Sequence, residues 1–388
     1  MCPGNREQRR YLRWGKDFGR YHHRQQCCNW RKRCCDSRCA GQLGRRRCTR
    51  GYQAETAGRD PAVKQTRFAV VAIGRNEGER LRKCLESVVG RAALVVYVDS
   101  GSTDGSVPMA RSVGSEVVEL DTRIPFTAAR ARNQGFERVR QLAPDLPYVQ
   151  FVDGDCEVVV GWLDAAVEFL DTHPDVAAVC GRRRERHPEH SVYNLLCDIE
   201  WNTPVGEAKA CGGDVMMRAD ALAAANGYRA SLIAGEEPEL CVRLRAAGWR
   251  IWRLDKEMTL HDAAMTRFGQ WWKRTLRSGY AFAQGAALHG APPERHWVRE
   301  SRSTWFWGLV IPLVTLVVFL WIGTWAAALL LVYPLQVLRL FLRGRRSPRE
   351  NFWRAAFLVL GKFPEMLGQV MFIFNRAFGN RSRLIEYK

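Results

Sequence analysis

No GxxxxGK[ST] stretch occurs in the 388 residues, and the first strand-like run leads into "AIGRNEGER" rather than a GxGxxG turn. The first absence excludes a P-loop NTPase, whose glycine loop and lysine hold the phosphates. The second argues against a dinucleotide dehydrogenase, which needs close backbone approach to a pyrophosphate at that turn. Acids are also scarce, 40 against 59 Lys and Arg, for a net charge of +19. That imbalance is local: residues 1–67 hold 18 Lys and Arg against 5 Asp and Glu, which is +13 of the total. A nucleic-acid binder acting through this tail would show steeply salt-dependent binding that vanishes when residues 1–66 are removed. The remainder carries no such signal, and no specific nucleic acid is expected as a partner.

The same tail holds seven of the 13 cysteines, yet it has no CxxC pair and no apolar periodicity. Disorder is the expectation for residues 1–66, with a zinc knuckle or contact with phosphates or anionic lipid as alternatives. The six later cysteines stand singly in apolar or motif contexts, as reduced thiols do, which implies a reducing compartment. No n-region, h-region and cleavage site opens the chain, so a secretory signal peptide is not expected.

What is present begins at Phe68. The run Phe68 to Ile73 suits a strand buried on both faces, and Leu81, Cys84, Leu85 and Val88 mark an amphipathic helix, with Asn76 as its expected cap. "ALVVYVDSGSTDGS" gives a second strand and a polar loop, "SEVVEL" a third strand, and "FTAARARNQGFERVRQL" a helix. "YVQFVDGD", "WLDAAVEFL" and "DVAAVCG" then predict strand, helix and strand. This alternation predicts an α/β fold with an open, mostly parallel sheet, in which ligands bind beyond the carboxyl ends of the strands.

Asp99, Asp153 and Asp155 all stand at such ends. Ionised carboxylates beside apolar strands need compensation, and in an extended segment Asp153 and Asp155 would point to one side. A hard divalent cation, Mg²⁺ or Mn²⁺, held with the help of substrate phosphates, would supply it.

The ordered set "VVAIGRNEGERL", "VDSGSTDGS", "ARARNQG", "DGD", "ACGGDVMMR", "GEEPELCVRLRAAGW" and "LHD" resembles the family 2 glycosyltransferases of GT-A fold, over roughly Phe68 to Arg274. The resemblance implies that Asp99 contacts the base or ribose of a nucleotide sugar, supported by Arg132 and Asn133. Asp153 and Asp155 would sit at the ribose and the metal, with Asp155 the closer ligand and His261 facing the metal and diphosphate. Gly212 and Gly213 would form the loop at the donor sugar or acceptor, and Asp214 would cap it or touch sugar hydroxyls. An inverting transfer needs a general base. The family usually has Glu-Asp where this chain has Glu236 and Glu237, so the matching base is Glu237, and the choice between the two stays open. A nucleotidyltransferase on a similar fold would need a glycine-rich, lysine-bearing loop after the first strand, which is missing. A membrane scaffold that kept the fold without catalysis is the alternative reading.

From Thr304 to Arg343 the chain has no acid and enough apolar length for two transmembrane helices turning near Gly323 and Thr324. Arg299, Arg302 and "RGRRSPR" flank the pair, which places both ends, and the catalytic domain, on the cytoplasmic side of the inner membrane. The expected organisation is a tail over 1–66, a GT-A domain over 67–275, an aromatic connector over 276–303, the hairpin over 304–343, and a basic loop with an interfacial or membrane helix over 344–388. The chain-gripping QxxRW helix of polysaccharide synthases has no match at "GQWWKRTLRSGYAFAQ". A single-sugar transfer to a lipid-linked or membrane-proximal glycan acceptor is therefore expected rather than processive synthesis, with membrane lipids as further partners.

Overall fold

The computed structural model describes residues 66–379, so the readings made for residues 1–65 lie outside the described residues. A nine-stranded sheet forms the centre, in the order β3-β2-β1-β4-β8-β6-β9-β5 with β7 beside β9. The first half alternates as the apolar periodicity dictates: β1 (Phe68–Gly74), α1 (Glu79–Glu86), β2 (Leu94–Asp99), α2 (Ser106–Ser112), β3 (Glu116–Glu119), α3 (Ala128–Leu142) and β4 (Tyr148–Asp153). There follow β5 (Cys156–Val158), α4 (Trp162–Thr172), β6 (Val176–Glu185), α5 (Val192–Trp201), β7 (Gly206–Glu207), β8 (Val215–Arg218), α6 (Ala219–Ala224), α7 (Glu236–Ala246) and β9 (Arg250–His261).

β1 is buried along its length because both faces of the sheet are covered. Phe68, Val70 and Ala72 pack with α1 and α4, while Ala69, Val71 and Ile73 pack with α3 and α7. The alternation follows from the two-residue period of a strand, and each fully buried Val or Ile contributes about 1.5–3 kcal/mol. The fold is α/β as expected, with most of the sheet's pairing parallel, the long β6–β9 ladder included, and antiparallel strands mixed in. β1 to β4 run parallel, whereas β8 is antiparallel to both β4 and β6, and β5 and β7 are antiparallel to β9. A run of residues announces a strand; its direction depends on the path between strands, which periodicity does not encode.

Asn76 does not cap α1. Gly78 stands at the cap position, and Asn76, with φ of 55°, accepts a hydrogen bond from the Thr103 amide at 2.7 Å, tying the β1 loop to the β2 loop.

Beyond the sheet, α8 (Phe268–His289) crosses the boundary expected at residue 275. α9 (Val298–Trp305), a π-helical turn (Phe306–Val310) and α10 (Ile311–Ile322) lead to Gly323, where φ is 62° and the helix breaks. A 3₁₀ stretch (Gly323–Leu331) and α11 (Val332–Leu342) return, so that the Tyr333 hydroxyl donates to the Trp307 carbonyl at 2.7 Å. This is a hairpin, and the run Val298–Leu342 is long and apolar enough to cross a membrane. Residues 305–322 rise about 27 Å at helical pitch, and most of the large apolar side chains toward their far end, Leu320 and Trp321 among them, are exposed.

α12 (Pro348–Leu360) and α13 (Lys362–Ala377) fold back against the body. α13 lies along α8 so closely that a Cβ on Gly279 would meet the Glu365 carbonyl at 2.0 Å, and one on Gly368 the Leu276 carbonyl at 2.0 Å. Thr304 and Ser301 at the foot of the hairpin donate to Glu365 and Gln369 of α13 at 2.7 Å each. Because backbone cannot move aside as a side-chain tip can, Gly368→Ala is expected to cost about 1–3 kcal/mol. A fall in the thermal midpoint of the detergent-solubilised protein measures it.

Candidate active site

The register of β1 fixes where the polar groups meet. Gly74 lies opposite Asp99 on β2, and Ile73 opposite Asp153 on β4, so both aspartates flank the carboxyl end of β1 where the strand order reverses. Asp99 is buried and organises its own loop: Oδ2 accepts from the Gly101 and Ser102 amides at 2.9 and 2.8 Å, and Oδ1 from the Tyr97 hydroxyl at 2.8 Å. Burial, with the Asp99 charge beside it, holds the Tyr97 hydroxyl far above its usual range, so it stays a donor.

Asp153 and Asp155 do not share one direction. β4 ends at Asp153 and a turn occupies 154–155, so the extended geometry that would align them is broken. Two arginines compensate Asp153: Arg132 Nη2 donates to Oδ1 at 2.7 Å and Arg183 Nη2 to Oδ2 at 3.0 Å. Burial alone would push this carboxyl up, but Arg132 and Arg183 outweigh it and hold it well below the ordinary aspartate range. Arg183 also spans to the buried Asp214, whose oxygens accept in addition from the Asp153 amide at 3.0 Å and the Thr259 hydroxyl at 2.7 Å. Asp214 is thereby saturated within the protein.

Asp155 turns toward β9. Cys156 pairs with His261 across the β5–β9 ladder, and Glu185 pairs with the same histidine from β6. His261 Nε2 stands 3.3 Å from Asp155 Oδ2, and Nδ1 3.3 Å from Glu185 Oε2. Trp201, at the end of α5, sets its ring edge-on to His261 with centroids 4.6 Å apart.

The glycine loop closes the other side. Gly212 has φ of 102°, and a Cβ on Gly213 would lie 2.7 Å from both Arg132 Nη2 and Asp153 Oδ2. The Cys211 and Gly212 amides donate to Glu237 at 2.9 and 2.8 Å, and the Cys241 thiol donates to it at 2.9 Å. Glu236 accepts from Arg132 Nη1 at 2.5 Å. Asn133 exchanges two hydrogen bonds with the backbone of Tyr228, at 2.7 and 2.8 Å, and so braces the loop before α7 rather than pointing into the cleft.

Residues 70–207 match the model of the glycosyl transferase family 2. These residues form a family 2 glycosyltransferase domain. The succinoglycan biosynthesis protein ExoA of Rhizobium meliloti (strain 1021) is 26% identical over 265 residues, which are 65% of this chain and 78% of that one. Among solved structures, the mannosyltransferase PcManGT of Pyrobaculum calidifontis in complex with GDP-Man and Mn²⁺ is 18% identical, with a TM-score of 0.48 over 81% of this chain and 86% of that one. Glucosyl-3-phosphoglycerate synthase from Mycobacterium tuberculosis, in complex with Mn²⁺ and UDP-glucose, is 17% identical, with a TM-score of 0.41 over 59% and 81%.

In this glycosyltransferase the motif-bearing residues fall into two adjoining groups of possible ligand atoms, Asp155, Cys156 and His261 in one and Asp153, Cys156 and Asp214 in the other. The arginines occupy the second group. The first offers a carboxylate and an imidazole, and the contact of Glu185 with Nδ1 leaves Nε2 toward Asp155, the arrangement by which a second carboxylate orients a metal-binding histidine. The carboxylates of Asp153, Asp155, Asp214, Glu185 and Glu236 meet at Arg132, Arg183 and His261, and a cluster so rich in carboxylates suits further positive charge. These residues fit a divalent cation.

Burial raises the Glu237 carboxyl above its ordinary value, against the hydrogen bonds from Cys241, Cys211 and Gly212 that lower it. Arg183 and Glu185 lie outside the motifs that carry the family resemblance. Their signal is the charged run "RRRER" closing an otherwise apolar strand, in which residues two apart share a side. Gly213→Ala is expected to weaken donor binding at least about tenfold, because the added methyl forces Arg132 and Asp153 apart. Isothermal titration with the nucleotide sugar checks it.

Proposed function

We propose that the protein is a membrane-anchored inverting glycosyltransferase that moves one sugar from a nucleotide-sugar donor to a lipid-linked or membrane-proximal acceptor. The observation that carries this reading is the convergence of Asp99, Asp153, Asp155, His261, Gly212, Gly213 and Glu237 at one end of the sheet, in a unit whose helices continue into the hairpin. Asp99 shapes the loop that takes the base or ribose, while Arg132 and Arg183 fix Asp153 at the donor. Asp155 and His261 would hold a divalent cation, Mg²⁺ or Mn²⁺. When bound, the ion stabilises negative charge on the diphosphate.

Glu237 receives the proton of the acceptor hydroxyl as that oxygen attacks, and its bonds to the Cys211 and Gly212 amides keep the base in register with the glycine loop. Glu236 acts on Arg132. Asp214 and Asn133 position rather than bind. The hairpin spans the inner membrane, and arginines at both of its ends, Arg299, Arg302, Arg343, Arg345 and Arg346, favour the cytoplasmic side for the catalytic body. Buried free thiols at Cys84, Cys156, Cys180, Cys197 and Cys241 agree with that compartment.

The test is release of nucleoside diphosphate from a panel of UDP-, GDP- and dTDP-sugars, with Mg²⁺, Mn²⁺ or EDTA and membrane lipid extract as acceptor source. Turnover of one donor that stops in EDTA supports the reading. If no donor is turned over in any metal, the chain is a scaffold on this fold.

A further inference from the structure

A cavity of about 650 Å³ opens between α5, α8, α12 and the loop that follows the hairpin. Its chemistry is divided. Leu196, Trp271, Phe282, Phe357 and Leu358 give the lining its apolar part. Arg343, Arg345 and Arg346 of the loop and Arg354 of α12 give it a cationic part. The two acids of the lining are already matched, Glu200 by both terminal nitrogens of Arg274 at 2.9 and 3.0 Å, and Glu365 by Lys362 at 2.6 Å. Among the described residues none of the four arginines forms a salt bridge, although the Ser347 hydrogen bonds, helped by nearby Arg346, hold the Glu350 carboxyl below the ordinary range. Four guanidinium groups lining one cavity repel, and an arrangement of this kind is stabilised by an anion with several acceptor oxygens.

Two features of position narrow that anion. Arg343, Arg345 and Arg346 directly follow α11, the returning arm of the hairpin, and so stand where lipid headgroups lie. The cavity also shares a wall with the catalytic cleft, since Ile199, Glu200, Asn202 and Thr203 line it while Trp201 between them sets its ring against His261 and beneath Arg183.

We propose that this cavity holds the phosphate-bearing headgroup of the lipid-linked acceptor, with the arginines on the phosphates and the apolar part of the lining on the first part of the hydrocarbon chain. The assignment rests on the reading of the protein as a transferase to a lipid-linked acceptor. The end of α5 then presents the acceptor's sugar toward His261 and Glu237 while the lipid remains at the membrane surface.

The experiment uses the full-length protein in detergent micelles and follows the fluorescence of its tryptophans, of which Trp271 lines the cavity. The probes are decaprenyl diphosphate, decaprenol, inorganic diphosphate and phosphatidylglycerol, against wild type, the triple variant Arg343→Gln/Arg345→Gln/Arg346→Gln, and Arg354→Glu. Decaprenyl diphosphate is expected to bind wild type in preference to the other three probes, and each lost arginine to weaken it about tenfold. Near-ultraviolet circular dichroism confirms that the variants keep their packing. Equal binding of decaprenol, of phosphatidylglycerol or of inorganic diphosphate overturns the proposal, as does unchanged affinity in the triple variant. Donor turnover by wild type is measured separately. Intact turnover without lipid-diphosphate binding defeats the cavity assignment alone, and lipid-diphosphate binding without turnover defeats the transferase reading alone.

Discussion

Asp155→Asn is expected to lower transfer by about a thousandfold while leaving the protein folded. The loss corresponds to about 4 kcal/mol of transition-state stabilisation, the scale of a metal ion acting on developing charge. The variant keeps an acceptor oxygen near His261 Nε2, which stands 3.3 Å from Asp155 Oδ2, so the local packing survives while the charge that attracts a cation does not. Asp153→Asn behaves differently. It strips the anion from between Arg132 and Arg183, both buried, and breaking such a pair costs about 3–5 kcal/mol of stability. Nucleoside diphosphate release titrated with Mn²⁺, run beside thermal melting, separates the two: Asp155→Asn falls in activity with a near-normal melt, and Asp153→Asn falls in both. An Asp155→Asn protein with wild-type turnover and metal response would remove Asp155 from the metal site.

The contrast between these aspartates marks where the sequence could be read and where it could not. Strand ends were legible because apolar runs stop abruptly at polar residues, and Asp99 and Asp153 do sit beside the end of β1. What compensates Asp153 was not. Arg132 is 21 residues before it and Arg183 is 30 after it, and their convergence depends on β6 entering the sheet through β8, an antiparallel step. Glu185 escaped for the same reason: its pairing with His261 across the β6–β9 ladder joins residues 76 apart and leaves no periodic trace. The hairpin lies at the other extreme. Its length, its lack of acids and its break at Gly323 are local properties, and the structure turns where the sequence predicts.

The second large effect falls on Glu237. Glu237→Gln is expected to reduce kcat by about 10²–10⁴, the range for loss of a positioned general base. Its pH profile carries the diagnosis. Burial raises the Glu237 carboxyl above its ordinary value, and the reaction needs the carboxylate, so wild-type activity is full above that raised value and is lost as pH falls through it. The acid limb therefore sits higher than for an exposed glutamate, and Glu237→Gln abolishes it.

Stability runs the opposite way. A group whose folded pKa is raised favours the folded state most when protonated, so this contribution is present below the unfolded value of about 4.3 and fades as pH rises through the folded one. Glutamine mimics the protonated form in charge, but its amide nitrogen cannot accept from the Cys211 or Gly212 amide, an offsetting cost of about 1–3 kcal/mol. Glu236→Gln gives the control. It removes the negative charge opposite Arg132 Nη1, which bears on Asp153 and the donor, so KM for the nucleotide sugar rises while the acid limb stays in place. If instead the limb vanishes in Glu236→Gln and persists in Glu237→Gln, the proton goes to Glu236, and Glu237 serves the glycine loop alone.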